Sequence, residues 1–313
     1  MKKNLWLTIC LILAVFALGF VIWNMQRGPN QEASPPQQTN FSAVDSRGKE
    51  IIVDRKPQRI ISLAPSNTEI LFALGLDEEI VGVTDYCNYP PEKVAKKEKI
   101  GGFSTPNIEK IVSLNPDIVF ATVGVQKQAV ERLEELGIKI YVLEAETAES
   151  LLAEIEKVGR LTGKSQEVEK LIENLEKRIN AIEAKVGNLS DDQKPKVFLE
   201  IWSDPIWTAP KRTLIYQVIE MAGARNAITI EGDWSQVNTV DPESVINANP
   251  DVILLSFEGG EPELIYKLPG WSAVSAVKNK KVFQIDPDII SRPSPRIIDA
   301  LEQIAKILHP ALF

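Results

Sequence analysis

The sequence is poor in the residues on which most catalytic and metal sites depend. It contains one histidine, His309, near the C-terminus, and two cysteines, Cys10 and Cys87. A terminal histidine is most often only solvated, and a general base must be tightly positioned, so we expect no catalytic role for His309. Cys10 lies in an N-terminal apolar run and Cys87 stands alone, so we expect neither a disulfide nor a multi-cysteine metal site.

Motifs of catalysis and of nucleotide binding are also missing. The chain has no Gly-x-Ser-x-Gly, Walker A or Gly-x-Gly-x-x-Gly pattern. Its net charge is −8 and its lysines and arginines form no cluster, which argues against a nucleic-acid partner. We therefore predict a binding protein without a metal or cofactor of its own. An enzyme is the alternative, and it would need a clustered acid–base pair.

The N-terminus has the pattern of an export signal. Lys2 and Lys3 precede Leu5–Trp23, which is almost wholly apolar and 19 residues long, close to the roughly 20 that span a bilayer. We interpret residues 1–27 as a membrane anchor that leaves the rest of the chain outside the cytoplasm, since the lysines stay inside. A cleaved signal, giving a secreted or periplasmic protein, is the alternative. Cys10 comes too early to fit a lipoprotein cleavage site well.

Residues 28–40 contain no large apolar side chain and are predicted to be a flexible tether. The remainder divides into an N-terminal lobe at 41–163 (the N-lobe), a connecting segment at 164–190 and a C-terminal lobe at 191–313 (the C-lobe). In both lobes, apolar strand-like runs alternate with helical patterns, which predicts mostly parallel sheets covered on both faces.

The connecting segment contains the longest uninterrupted helical pattern. Ser165 to Val186 has no glycine or proline, and its apolar residues recur at steps of three and four. This predicts one helix, roughly 33 Å long at 1.5 Å per residue. Ser165 is the expected N-cap, and Gly187 follows the last apolar residue as a stop.

A repeat relates the two lobes. Asn115-Pro-Asp117 and Asn249-Pro-Asp251 are each followed by an apolar run and each preceded, in the same register, by an acid, Glu109 or Glu243. The period is too long for a solenoid, so the repeat predicts two similar lobes. Both glutamates begin short helices, where a carboxylate suits the helix dipole. The alternative is that they present one exposed acid per lobe to a two-fold basic partner.

Candidate ligand-binding residues follow predicted strands, because folds of this class bind ligands outside the carboxyl ends of their strands. Four aromatic residues stand at such places or in polar loops: Tyr86, Phe103, Trp207 and Trp234. Together they favour a large flat ligand held by ring faces, although each one alone is as consistent with packing. Trp202 and Trp271 are assigned to packing.

Polar candidates are fewer. Asp288 and Arg292 follow the last predicted strand and line the expected cleft, unless they form a mutual salt bridge or a helix cap. Ser66 and Glu69 have the spacing of a capping box at the start of a helix.

The sequence resembles the periplasmic-binding-protein family that delivers vitamin B12 and iron chelates to ABC importers. The residues that carry the resemblance are Arg59-Ile-Ile-Ser-Leu-Ala-Pro-Ser-Asn-Thr-Glu69, Asn88-Tyr-Pro-Pro91, Asn115-Pro-Asp117, Asn249-Pro-Asp251 and Arg292-Pro-Ser-Pro-Arg296. The first of these, with Tyr86 ahead of the second, is most similar to the cobalamin branch.

The resemblance implies two Rossmann-like α/β lobes joined by a single long helix, with the ligand in the cleft between them. It implies that Glu109 and Glu243 dock on the importer's two membrane subunits. It also implies a corrinoid surrounded by the following residues: Pro65, Tyr86, Phe103, Trp207, Trp234, Asp288 and Arg292. Phe103 and Thr122 stand where that branch has tryptophans, so a ferric siderophore or haem is the alternative ligand.

Overall fold

The structure, a computed structural model, describes residues 41–235 and 238–313. The predicted anchor at residues 1–27 and the tether at 28–40 lie outside the described residues. Within the described part of the chain, no helix is both long enough and apolar enough to cross a membrane.

The N-lobe is built on a five-stranded parallel sheet. The lobe contains seven strands, of which the last five form this sheet. They are β1 (Phe41–Val44), β2 (Glu50–Val53), β3 (Ile60–Ser62), β4 (Ile80–Val83), β5 (Glu98–Lys99), β6 (Ile118–Thr122) and β7 (Ile140–Leu143). Its helices are α1 (Pro65–Ala73), α2 (Pro91–Val94), α3 (Ile108–Ser113), α4 (Lys127–Glu135) and α5 (Ala148–Thr162). The sheet order is β5-β4-β3-β6-β7, while β1 and β2 form the predicted antiparallel hairpin.

The connecting helix α6 (Ser165–Val186) leads to the C-lobe. The strands of the C-lobe are β8 (Lys196–Glu200), β9 (Trp202–Ser203), β10 (Ile206–Trp207), β11 (Arg225–Asn226), β12 (Val252–Leu255) and β13 (Val282–Gln284). Its helices are α7 (Leu214–Met221), α8 (Pro242–Ala248), α9 (Pro262–Ile265), α10 (Ser275–Lys278), α11 (Pro287–Ile290) and α12 (Ile297–Leu308). Strands β11-β8-β12-β13 form a parallel sheet, and β9 and β10 form a separate hairpin.

Both sheets are covered on both faces, as the alternation of strands and helices predicts. One face of each sheet contributes to a shared core, with Phe120 from the N-lobe and Leu199 from the C-lobe among its buried members. The opposite faces form two separate cores, represented by Val119 in the N-lobe and Phe198 in the C-lobe. Neighbouring residues in one strand thus face different cores, because side chains alternate along a strand.

Helix α6 packs along the shared core. Its buried residues Val168, Leu175 and Ile182 are seven positions apart, and Val186 completes the apolar face. The helix spans the predicted residues and ends at Gly187. The expected N-cap is wrong, however: Ser165 is already helical, and Lys164 occupies the cap position without a side-chain hydrogen bond. The apolar face therefore determines the helix without a capping side chain.

The repeated Asn-Pro-Asp motif has the same geometry in both lobes. Asn115 and Asn249 both adopt a left-handed backbone with φ of 46°, a conformation that asparagine tolerates better than most residues. The Asp117 carboxylate accepts from the backbone N–H groups of Gln58 at 2.7 Å and Arg59 at 3.0 Å. Asp251 accepts from the backbone N–H of Lys196 at 2.9 Å. Each aspartate therefore holds the start of the neighbouring strand.

His309 is buried rather than solvated, which contradicts the expectation for a terminal histidine. Its Nε2 lies 3.0 Å from the carbonyl oxygen of Gly223. The left-handed turn at Gly223 also lies against Val186, where a Cβ atom would clash. His309 thus ties the end of α12 to the turn after α7, a structural role inside the C-lobe.

Candidate functional site

A cleft of about 950 Å³ lies between the N-lobe and the C-lobe. On the N-lobe side it is lined by residues that follow the carboxyl ends of strands, such as Tyr86 after β4 and Glu144 after β7. The C-lobe contributes the start of α7, the loop at Asp233 and Trp234, and the segment around Arg292. This is the position at which open parallel sheets bind their ligands.

Five of the seven residues predicted to surround a ligand line this one cleft. They are Pro65, Tyr86, Phe103, Trp234 and Arg292. Tyr86 is 63% exposed and Trp234 is 51% exposed, so neither ring is buried in a hydrophobic core. Tyr86 belongs to the N-lobe and Trp234 to the C-lobe, so a ligand in the cleft has aromatic surface on both sides. Thr122 also lines the cleft.

Trp207 and Asp288 are not among the residues that line the cleft. Trp207 lies in β10, directly across the β9–β10 hairpin from Trp202. The two indoles are 40% and 53% exposed, so assigning Trp202 to packing is wrong. The indole Nε1 of Trp202 donates to the carbonyl oxygen of Asp204 at 3.0 Å. Trp271, in contrast, is 2% exposed, which confirms that it packs.

Arg292 and Asp288 form a mutual salt bridge, which was one of the two interpretations of this pair in the sequence. Nη2 of Arg292 lies 2.6 Å from Oδ1 of Asp288, and its Nη1 donates to Oδ1 of Asn88 at 2.7 Å. The side-chain amide of Asn88 in turn donates to Asp288 at 2.7 Å. The guanidinium therefore lines the cleft with its charge already balanced.

Glu69 lies at the centre of this interaction between lobes. It is 4% exposed on α1 of the N-lobe, and all its side-chain partners among the described residues belong to the C-lobe. Its carboxylate accepts from Arg292 at 2.8 Å, from the hydroxyl of Ser294 at 2.6 Å and from Arg296 at 3.1 Å. The guanidinium of Arg296 also lies 3.9 Å above the ring of Tyr89. We call Glu69, Arg292, Ser294 and Arg296 the inter-lobe network.

This role of Glu69 was not predicted, because its spacing from Ser66 is that of a capping box. The capping box does not form: Pro65 is the first helical residue, and the N-cap Ala64 makes no side-chain bond. A signal was nevertheless present. An acid between Thr68 and Ile70 lies in a run that is otherwise suited to burial, and a buried acid needs a cation. The two arginines at positions 292 and 296 were the available partners.

The charged residues that line the cleft are three acids and two arginines. Glu144, Glu146 and Asp233 line it, and Asp233 pairs with Arg212. Burial raises the pKa of Glu144, and the nearby charges of Glu146 and Asp233 raise it further. Within the described part of the chain, no lysine or histidine lines the cleft. The site therefore has aromatic faces and a mildly acidic polar rim.

Comparison with known proteins identifies the family. The family described as periplasmic binding protein matches residues 60–289, most of the chain.

The chain belongs to the periplasmic binding protein family. Among its relatives is an uncharacterized ABC transporter substrate-binding lipoprotein of Bacillus subtilis (strain 168). It is 32% identical over 274 residues, which are 86% of this chain and 85% of the relative. As a member of this family, the chain is a substrate-binding protein of the ABC-importer type.

Solved structures of other periplasmic binding proteins have the same fold. One is the periplasmic vitamin B12 binding protein of Vibrio cholerae, with a TM-score of 0.70 and 28% identity, covering 82% of this chain and 98% of that one. Another is a periplasmic heme-binding protein from Roseiflexus sp. RS-1, with a TM-score of 0.71 and 27% identity, covering 82% of this chain and 99% of that one. These similarities confirm the predicted two-lobed α/β fold, and they do not separate the two ligands.

The two glutamates of the repeat occupy matching places on this periplasmic binding protein. Glu109 lies in the first turn of α3 and Glu243 in the first turn of α8. Both are exposed, and neither forms an ion pair with another described residue. In each helix a different side chain, Asn107 or Asp241, provides the cap. Helix capping therefore leaves both glutamates free.

Proposed function

We propose that the cleft binds a cobalamin-type corrinoid and that the protein delivers it to an ABC importer. The observation that carries the proposal is the pair of exposed rings, Tyr86 from the N-lobe and Trp234 from the C-lobe, that line one cleft. A flat macrocycle between them would bury apolar area against both rings, at about 25 cal/mol per Å². The volume of about 950 Å³ lies near the upper end of the usual range for ligand sites and suits a bulky guest.

The charges of the cleft favour a corrinoid over an anionic chelate. Arg292 is balanced by Glu69 and Asp288, and Arg212 by Asp233. Glu144 and Glu146 add negative charge that would repel an anionic siderophore or the propionates of haem. The peripheral amides of a corrinoid are neutral donors, and such carboxylates accept from them.

Haem is the second candidate ligand, and one observation favours it. Tyr86 is the exposed phenol of the cleft, and a tyrosine oxygen is an established axial ligand of haem iron. A haem-binding structure is also among the similar folds. Phe103 and Thr122, where the cobalamin branch has tryptophans, leave a wall with less aromatic area.

One titration separates the two ligands. We expect isothermal titration of the purified protein with cyanocobalamin to show one site with micromolar or tighter affinity. Haemin and a ferric catecholate, titrated in parallel, should bind more weakly. Absence of binding at micromolar cyanocobalamin would remove the corrinoid proposal. If haemin binds instead, a Tyr86→Phe variant should change its visible spectrum.

The proposed partners are the two membrane subunits of an importer, with basic residues facing Glu109 and Glu243. Support comes from the equivalent placement of the two carboxylates, both exposed and without ion pairs, on repeat-related helices. Partner arginines would pair with them in a charge-assisted geometry. The proposed location is outside the cytoplasm, anchored by residues 5–23, and the Bacillus subtilis relative is itself named a lipoprotein.

A further inference from the structure

A second cavity, of about 830 Å³, lies inside the C-lobe and shares no lining residue with the cleft. It opens over the carboxyl ends of two neighbouring parallel strands, since Glu200 ends β8 and Leu255 ends β12. In parallel sheets this is the edge at which ligands bind. We call it the C-lobe cavity.

The wall of the C-lobe cavity combines apolar surface with charge of one sign. Its apolar side includes Ile206, Ile265 and Trp271. Its charged lining residues are all acids: Glu200, Asp204, Asp241, Glu258 and Glu261. No lysine, arginine or histidine lines it among the residues that the structure describes. An anion would therefore be repelled from this cavity, and a cation would be attracted.

Glu200 is the residue that points to a ligand. It is only 2% exposed, on the face of β8 that it shares with Phe198 and the outer core of the C-lobe. Its Oε2 has no hydrogen-bond partner among the described residues, although buried carboxylates are normally paired. Burial raises the pKa of Glu200 to about 7, so the carboxylate is ionised only in part near neutral pH. A cation beside it would supply the missing partner.

We propose that the C-lobe cavity binds an organic cation, an ammonium or guanidinium group on an apolar body, with Glu200 as its counter-ion. The apolar body would pack on Ile265, Leu268 and Trp271, while the head group donates to the carboxylate. The acids at Asp204 and Glu258 attract such a molecule toward the opening. The proposal gives the partnerless carboxylate a function that neither the cleft nor the docking glutamates require.

The test compares three probes that share a phenyl ring and differ in the head group and its charge: 2-phenylethylammonium, 2-phenylethanol and phenylacetate. Each is titrated into the full chain at pH 7.5, with isothermal titration and with fluorescence, for which the buried Trp271 is a reporter inside the cavity. We expect the ammonium to bind at least about tenfold more tightly than the alcohol, as a charge-assisted hydrogen bond gives. Phenylacetate should not bind.

Two variants locate the interaction. Glu200→Gln keeps the shape of the side chain and removes the charge, so it should reduce the preference for the ammonium about tenfold or more. Glu169→Gln, on the exposed face of α6, should leave that preference unchanged. Equal binding of ammonium and alcohol by the wild-type chain would overturn the proposal without any variant. An ammonium preference that survives in Glu200→Gln would overturn it as well.

Discussion

The inter-lobe network should contribute more to stability than any exposed ion pair of the protein. The perturbation is Glu69→Ala, which leaves two arginines facing a cavity where a carboxylate had been. Arg292 and Arg296 are 11% and 17% exposed at their side chains, and Glu69 is 2% exposed at its own. Breaking a buried pair by removing one partner costs about 3–5 kcal/mol, because the other charge stays buried without compensation. Since Arg292 keeps Asp288, the lower half of that range applies.

The assay is equilibrium unfolding in urea, followed by circular dichroism and fluorescence. A loss of about 3 kcal/mol corresponds to a fall in melting temperature on the order of 10 °C for a chain of this size. Glu69→Gln should lose less, because it keeps the volume and one acceptor oxygen. This variant separates the loss of charge from the loss of packing.

The matched control is Glu302→Ala. Glu302 also accepts from an arginine, Arg178, at 2.7 Å, but the two side chains are 32% and 27% exposed. Solvent screening reduces such pairs to about 1 kcal/mol or less. If Glu69→Ala destabilises the protein no more than this control does, the network is not a significant link between the lobes.

Three further predictions concern ligand binding, docking and pH. Trp234→Ala should weaken binding of the cleft ligand about tenfold, while Trp207→Ala should change it less; equal effects would put both indoles on the ligand. Charge reversal at Glu109 and Glu243 together should spare ligand binding but abolish uptake in cells, and normal uptake would end the docking proposal. Burial alone would raise the pKa of the Asp117 carboxyl, but backbone N–H donors hold it below its usual value. A carboxyl with a lowered pKa stabilises the fold above its unfolded pKa and loses that contribution as pH falls through the folded one. Asp117→Asn should therefore destabilise the protein at pH 7 and progressively less below about pH 4, and a pH-independent difference in unfolding free energy would contradict this.

Local patterns predicted the elements of the fold well. The apolar steps between Ser165 and Val186 gave the connecting helix with both ends, because burial of one face determines where such a helix runs. The Asn-Pro-Asp repeat predicted two similar lobes. Its physical reason became visible only in three dimensions, where Asp117 holds the residues just before another strand and Asp251 holds the first residue of one.

The candidate site was predicted less completely, because its polar contacts join distant parts of the chain. Glu69 and Arg292 are 223 positions apart, so no local spacing could pair them. The capping-box spacing of Glu69 suggested a local partner instead. Trp207 is not among the residues that line the cleft, and the reason is related: β8 ends at Glu200, and the chain then turns through a short hairpin whose register decides where the indole lies.

Each parallel sheet takes its strands from one uninterrupted stretch of chain, residues 60–143 for the N-lobe and 196–284 for the C-lobe. Among the described strands, none crosses from one sheet to the other. During synthesis, the ribosome therefore completes every strand of the first sheet before it starts the second. At 5–20 residues per second, about 3–10 seconds separate the end of the first stretch from the start of the second. Strands that are contiguous in sequence close shorter loops when they pair, which favours pairing within one lobe over exchange between the two related lobes.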